Sequence, residues 1–170
     1  MIEEITFSDL IELPDRMLEK NAKIKYSTIL EKSDYEKYDV KLLKSDIEQH
    51  LERFQRNKCF FNVPTEDNIK LTPAYVLRDY DRVNNINDPV SNLITRKADE
   101  QHWLVDFYNK IMDLATILTY DETVYFINTF FSKYSEEKIS NIMGMCKMTL
   151  QPIKKSCLVK VWYGLQGLDK

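Results

Sequence analysis

The sequence predicts an all-α protein, on three observations. Only three glycines and five prolines occur in 170 residues, too few for the turns of a β-sandwich. Apolar residues recur at helical spacings of four and three rather than in strict alternation. The hydrophobic content of 44% and aromatic content of 12% exclude a largely disordered chain. The expected organisation is an N-terminal helical unit over residues 1–83, a linker over 84–98, and a C-terminal helix-turn-helix domain over 99–170.

In the N-terminal unit, Ser8-Asp9 precedes an apolar pattern at Leu10, Ile11 and Leu13, and Pro14 limits the first turn. A charged stretch of alternating sign from Glu31 to Lys44 reads as a solvated helix face or connection. Ser45 is the expected N-cap of the next helix, with Glu48 as its capping-box partner and Ile47, Leu51 and Phe54 on one side. Pro64, Pro73 and Pro89, together with the turn formers Asn84 to Asp88, mark residues 62–92 as a hinge. Thr72 to Val83 can still form a helix, since Pro73 suits a first helical position.

Beyond the hinge, Trp103, Phe107, Ile111, Leu114 and Leu118 form a helical stripe. Thr119 and Glu122 make a second capping box, opening a helix over Val124, Ile127, Phe130 and Phe131 to about Lys133. Ser135 caps a short helix, with Glu136 and Glu137 in its first turn against the helix dipole.

Charge is segregated along the chain. The net charge is −3, from 24 basic and 27 acidic residues. Residues 138–168 hold five lysines and no carboxylate, which leaves 19 basic and 27 acidic residues elsewhere, a net of −8. An acidic body with a basic C-terminal stretch places any nucleic-acid contact in that stretch.

The same stretch has the order of a helix-turn-helix. A first helix has its inner face at Ile139, Ile142 and Met143. Gly144 stands where the turn needs positive φ, and Met145 follows as a buried turn residue. A second helix is expected to bury Leu150, Ile153, Cys157, Leu158 and Val161, and to expose Lys147, Met148, Gln151, Lys154, Lys155 and Lys160. Cys146 occupies the usual Ser or Thr cap position. Pro152 implies either a helix start near Thr149 or a kinked first turn.

Tyr120-Asp121-Glu122 through Val161, read with Thr149-Leu150-Gln151-Pro152-Ile153-Lys154-Lys155, resembles the helix-turn-helix of sigma-factor region 4. The whole resembles the phage late-gene transcriptional regulators of the ArpU/RinA type. The resemblance covers about residues 88–162 in organisation and about forty residues in motif. It implies a sequence-specific activator of phage packaging and structural genes that binds promoter or operator DNA in the bacterial cytoplasm. RNA polymerase and a second copy of the chain are the further partners expected. Phage terminase small subunits share the motif, as do helix-turn-helix modules that dock on polymerase or a host factor, and both stand as alternatives.

Groove geometry assigns the site residues, because side chains at the start of a recognition helix reach base edges while flanking groups hold phosphates. Lys147, Met148, Gln151 and Lys154 are the expected base contacts. Lys138, Thr149, Lys155 and Lys160 are the expected phosphate contacts. No arginine follows Arg96, so base reading falls to lysine and glutamine rather than to the commonest guanine contact. No phosphate loop, nucleophile elbow or metal-ligand spacing occurs, so neither an enzyme, a metal nor a cofactor is expected. Cys59, Cys146 and Cys157 are read as reduced thiols. The acidic start and the lack of any long apolar run point to a cytoplasmic protein with no membrane partner.

Overall fold

The computed structural model describes residues 5–23, 27–58 and 89–168, and these are helical with no strand. The helices are α1 (Phe7–Ile11), α2 (Leu13–Ala22), α3 (Lys32–Tyr35), α4 (Val40–Asn57), α5 (Pro89–Ile117), α6 (Tyr120–Phe126), α7 (Glu136–Met143) and α8 (Lys147–Leu165). A π-helical turn, Ile127–Phe131, extends α6.

Side-chain caps set the starts of α1, α4, α6 and α7. Thr6 accepts from the Asp9 N–H, and Asp9 returns a bond to the Thr6 N–H at 2.6 Å, so the first cap lies two residues before Ser8. Asp39 caps α4 by accepting from the Lys41 N–H at 2.9 Å. The expected cap at Ser45 is therefore corrected. The apolar stripe runs back through Leu43, and burying that extra turn carries the helix past Ser45 and Glu48, both exposed on its outer side. Thr119 and Glu122 form the expected capping box, at 2.8 and 3.2 Å.

The expected helix continuing regularly to Lys133 instead widens after Phe126. Ser132 N–H bonds the Ile127 carbonyl at 3.1 Å, and Tyr134 N–H bonds that of Asn128 at 2.9 Å. The extra residue per turn lets the adjacent Phe130 and Phe131 both turn inward. There Phe126 meets them at ring-centroid distances of 5.1 and 5.8 Å. Lys133, at φ 53°, then ends the segment in the left-handed region.

One apolar core joins the N-terminal helices to the C-terminal ones. Phe54 of α4 stacks on Phe107 of α5 at 5.0 Å, and Phe107 stacks on Trp103 at 5.1 Å. The expected stripe of Trp103, Phe107, Ile111, Leu114 and Leu118 is buried throughout. Asn21 of α2 donates to the Ala115 and Leu118 carbonyls at 3.0 and 2.6 Å, satisfying the end of α5 from a distant part of the chain. Residues 89–98, expected as linker, are the start of α5. Residues 84–88 and the helix expected at Thr72 to Val83 lie outside the described residues.

At the centre stands α8, which packs on α4, α5 and α6 and also meets α3 and α7. Leu150, Ile153, Ser156, Cys157, Leu158, Val159, Val161 and Leu165 are all buried. A helix surrounded in this way meets solvent chiefly at its N-terminal end, the end that carries the basic motif. Among the described residues, no helix is long and apolar enough to cross a membrane.

Candidate nucleic-acid interface

The helix pair α7 and α8 forms around its turn as the residue types require. Ser135 caps α7 through the Lys138 N–H at 3.4 Å, and Glu136 and Glu137 sit in its first turn. Gly144 ends the helix at φ 63° and ψ 29°. Its N–H bonds the Asn141 carbonyl at 3.2 Å, and the Met145 N–H bonds that of Ser140 at 3.0 Å. The left-handed glycine thus closes the helix and redirects the chain within two residues. Ile139 is fully buried, while Met143 and Met145 pack partly against the core. Ile142, expected on the inner face, is 51% exposed. The inward stripe is thus Ile139 and Met143, four residues apart, and Ile142 lies outside it.

Cys146 is the N-cap of α8, with extended backbone and no side-chain bond to the helix end. Its Sγ lies 3.1 Å from Thr149 Oγ1. That contact, with help from the first-turn amides, lowers the thiol pKa below its ordinary value. The helix starts at Lys147 and continues through Pro152 to Leu165, so the expected start near Thr149 is corrected. The Gly144 turn and the bond from Leu150 N–H to the Cys146 carbonyl, 3.1 Å, set the earlier start. Pro152 removes only the donor to the Met148 carbonyl, at the exposed end of the helix.

The expected site residues divide into three groups. Lys147, Met148 and Thr149 are exposed on the first turn, Met148 at 85%, and Gln151 is half-buried one turn on. Among the described residues, Lys147 and Gln151 have no side-chain partner. Lys138 and Lys155 are held more loosely, with their ammonium groups 3.5 Å from the centre of the Tyr134 ring and 5.7 Å from that of Tyr35. Lys154 and Lys160 are committed inward.

Lys154, expected on the exposed face, has a side chain only 15% exposed and ion-pairs with Glu136 of α7. Lys160, also expected there, is corrected to an interior position. Its Nζ donates to Glu122 Oε2 and the Thr28 carbonyl, both at 2.7 Å, and to the Ile117 carbonyl at 3.4 Å. Ser156 completes this knot by donating to Glu122 Oε1 and accepting from the Leu30 N–H at 2.9 Å. Glu122 was readable as a cap residue, but nothing local marked its carboxylate as the partner of a lysine 38 positions away.

The exposed end of α8 therefore offers a cation, an amide, a hydroxyl and a thioether within five residues, Lys147 to Gln151. Lys138, which is exposed, and Lys155, which is half-buried, are the further cations of the expected site. Such a set can donate to base edges and phosphates and touch a thymine methyl. Among the described residues, no group of three or more His, Cys, Asp or Glu side chains is placed to hold a metal ion. Compared with known proteins, the chain matches no family model, no curated protein and no solved structure.

Proposed function

We propose that this chain is a sequence-specific DNA-binding transcriptional regulator that inserts the N-terminal end of α8 into the major groove. The observation that carries the reading is the α7–Gly144–α8 turn, which presents Lys147, Met148, Thr149 and Gln151 at the outer end of a helix anchored in the core. A helix held this firmly along its length delivers its first turn to a groove with little loss of backbone freedom. Lys147 and Gln151 read base edges, Met148 meets a thymine methyl, and Lys138, Thr149 and Lys155 hold phosphates.

Few mobile cations make a single copy a weak binder, so occupancy depends on a second copy or on RNA polymerase. The role as activator of phage late genes rests on the sequence resemblance of residues 120–161. Nuclease protection across fragments of the source genome tests the reading. A protected site upstream of a late operon supports an activator, and one at the packaging start supports a terminase-like role.

A second reading has its own observation. Ile142 and Met148, 51% and 85% exposed, are large apolar side chains on α7 and the first turn of α8, and exposed methionines suit adaptable protein contacts. Protection of no fragment, with retention of the protein by RNA polymerase, would favour that docking module.

A further inference from the structure

We infer that Glu136 is a built-in competitor for DNA phosphate, a carboxylate that occupies Lys154 and keeps it from the nucleic acid. The inference deepens the DNA-binding reading and rests on it. Glu136 is the first residue of α7 and Lys154 lies in the middle part of α8, so their ion pair bridges the two helices of the motif. The Lys154 side chain is 15% exposed and that of Glu136 42%. The lysine is thus covered while its carboxylate partner stays open to solvent.

A phosphate arriving at the α7–α8 face competes with the Glu136 carboxylate for that ammonium and must displace it to pair with Lys154. Lys154 and Glu136 together contribute no net charge to that face, whereas Lys154 alone would release a counterion's worth of binding free energy. Lys160 differs in kind, because its partner Glu122 is 0% exposed and cannot be displaced from solvent. The pair therefore sets affinity at a low level for one copy, and occupancy is left to depend on a partner.

Salt-dependent binding of the full chain to a duplex carrying the protected site tests this. With Glu136→Gln the log–log salt slope steepens by about 0.9, one phosphate contact, and binding tightens several-fold. Adding Lys154→Ala to Glu136→Gln returns the slope to the wild-type value. Glu137→Gln removes the same charge from the neighbouring exposed position and leaves the slope unchanged. An unchanged slope for Glu136→Gln, with native helicity by circular dichroism, overturns the inference. So does an equal effect from Glu137→Gln. If the wild-type chain shows no salt-dependent binding to any duplex, the DNA reading itself falls and the competitor role falls with it.

Discussion

Glu122 and Lys160 form an interior ion pair at 2.7 Å, with side chains 0% and 8% exposed. The pair joins the start of α6 to the middle of α8, and the Thr28 carbonyl and Ser156 hydroxyl satisfy its remaining polar atoms. Removing one partner leaves a buried charge uncompensated, which costs about 3–5 kcal/mol. Lys160→Met and Glu122→Gln should each lower the unfolding free energy, measured by urea titration, by that order. The double variant should lose less than the two single losses added together. Additive losses would show that the two side chains act independently.

Two glycines separate conformation from space. Gly144 has φ 63°, and a Cβ there would meet nothing within 4 Å, so Gly144→Ala should cost only the left-handed backbone penalty, about 1–2 kcal/mol. Gly164 lies in α8, where alanine is ordinarily the better helix former. A Cβ there runs into the buried Leu114 side chain, so Gly164→Ala should destabilise by about 1–3 kcal/mol from overpacking. Thermal unfolding of both variants checks the assignment. A more stable Gly164→Ala would mean that Leu114 moves aside freely.

Cys146 and Cys157 should react in a fixed order. Cys146 is exposed, and the Thr149 hydroxyl together with the helix-end amides holds its pKa below the ordinary thiol value. Burial pushes the Cys157 thiol well above it. Alkylation followed by peptide mapping should modify Cys146 before Cys157, with its half-rate pH on the acid side of a free cysteine. Cys157 should follow only on unfolding. The sign for stability is also set: a lowered folded pKa gives Cys146 a contribution present above the unfolded value and lost as pH falls through the folded one. Equal rates for Cys146 and Cys157 in the native protein would contradict the burial of α8.

Much of this was legible because apolar register is local. The spacing of Trp103 to Leu118, and of Leu150, Ile153, Cys157, Leu158 and Val161, marked the buried sides of α5 and α8. The pairing of Thr119 with Glu122, and Ser135 and Gly144 at the ends of α7, follow from hydrogen bonds spanning three to five residues. What tertiary packing decides was not legible. Ser45 has the chemistry of a cap, yet the burial of Leu43 draws the helix back to Asp39. Lys154 and Lys160 have the spacing of an exposed face, but α8 is enclosed on several sides and their partners lie 18 and 38 residues away.

The lysine count carries a quantitative consequence for binding. With five lysines free, about 0.9 per phosphate contact would put the salt slope near −4.5 per copy. With Lys138, Lys147 and Lys155 alone, about 0.9 per phosphate contact gives roughly −2.7. Binding isotherms at several salt concentrations distinguish the two. A slope of about −3.6 or steeper would mean that Lys154 or Lys160 leaves its carboxylate on binding.

The most direct test of the DNA reading is the affinity of Lys147→Ala/Gln151→Ala for a nuclease-protected duplex, against wild type in the same salt. Both side chains lie on exposed or half-exposed positions at the outer end of α8, so the fold should stand and circular dichroism should be unchanged. Loss of base contacts worth about 1–3 kcal/mol each predicts at least a tenfold weaker complex and reduced discrimination from random DNA. Unchanged affinity and unchanged discrimination in a folded double variant would contradict the assignment of this end of α8 as the DNA-reading surface.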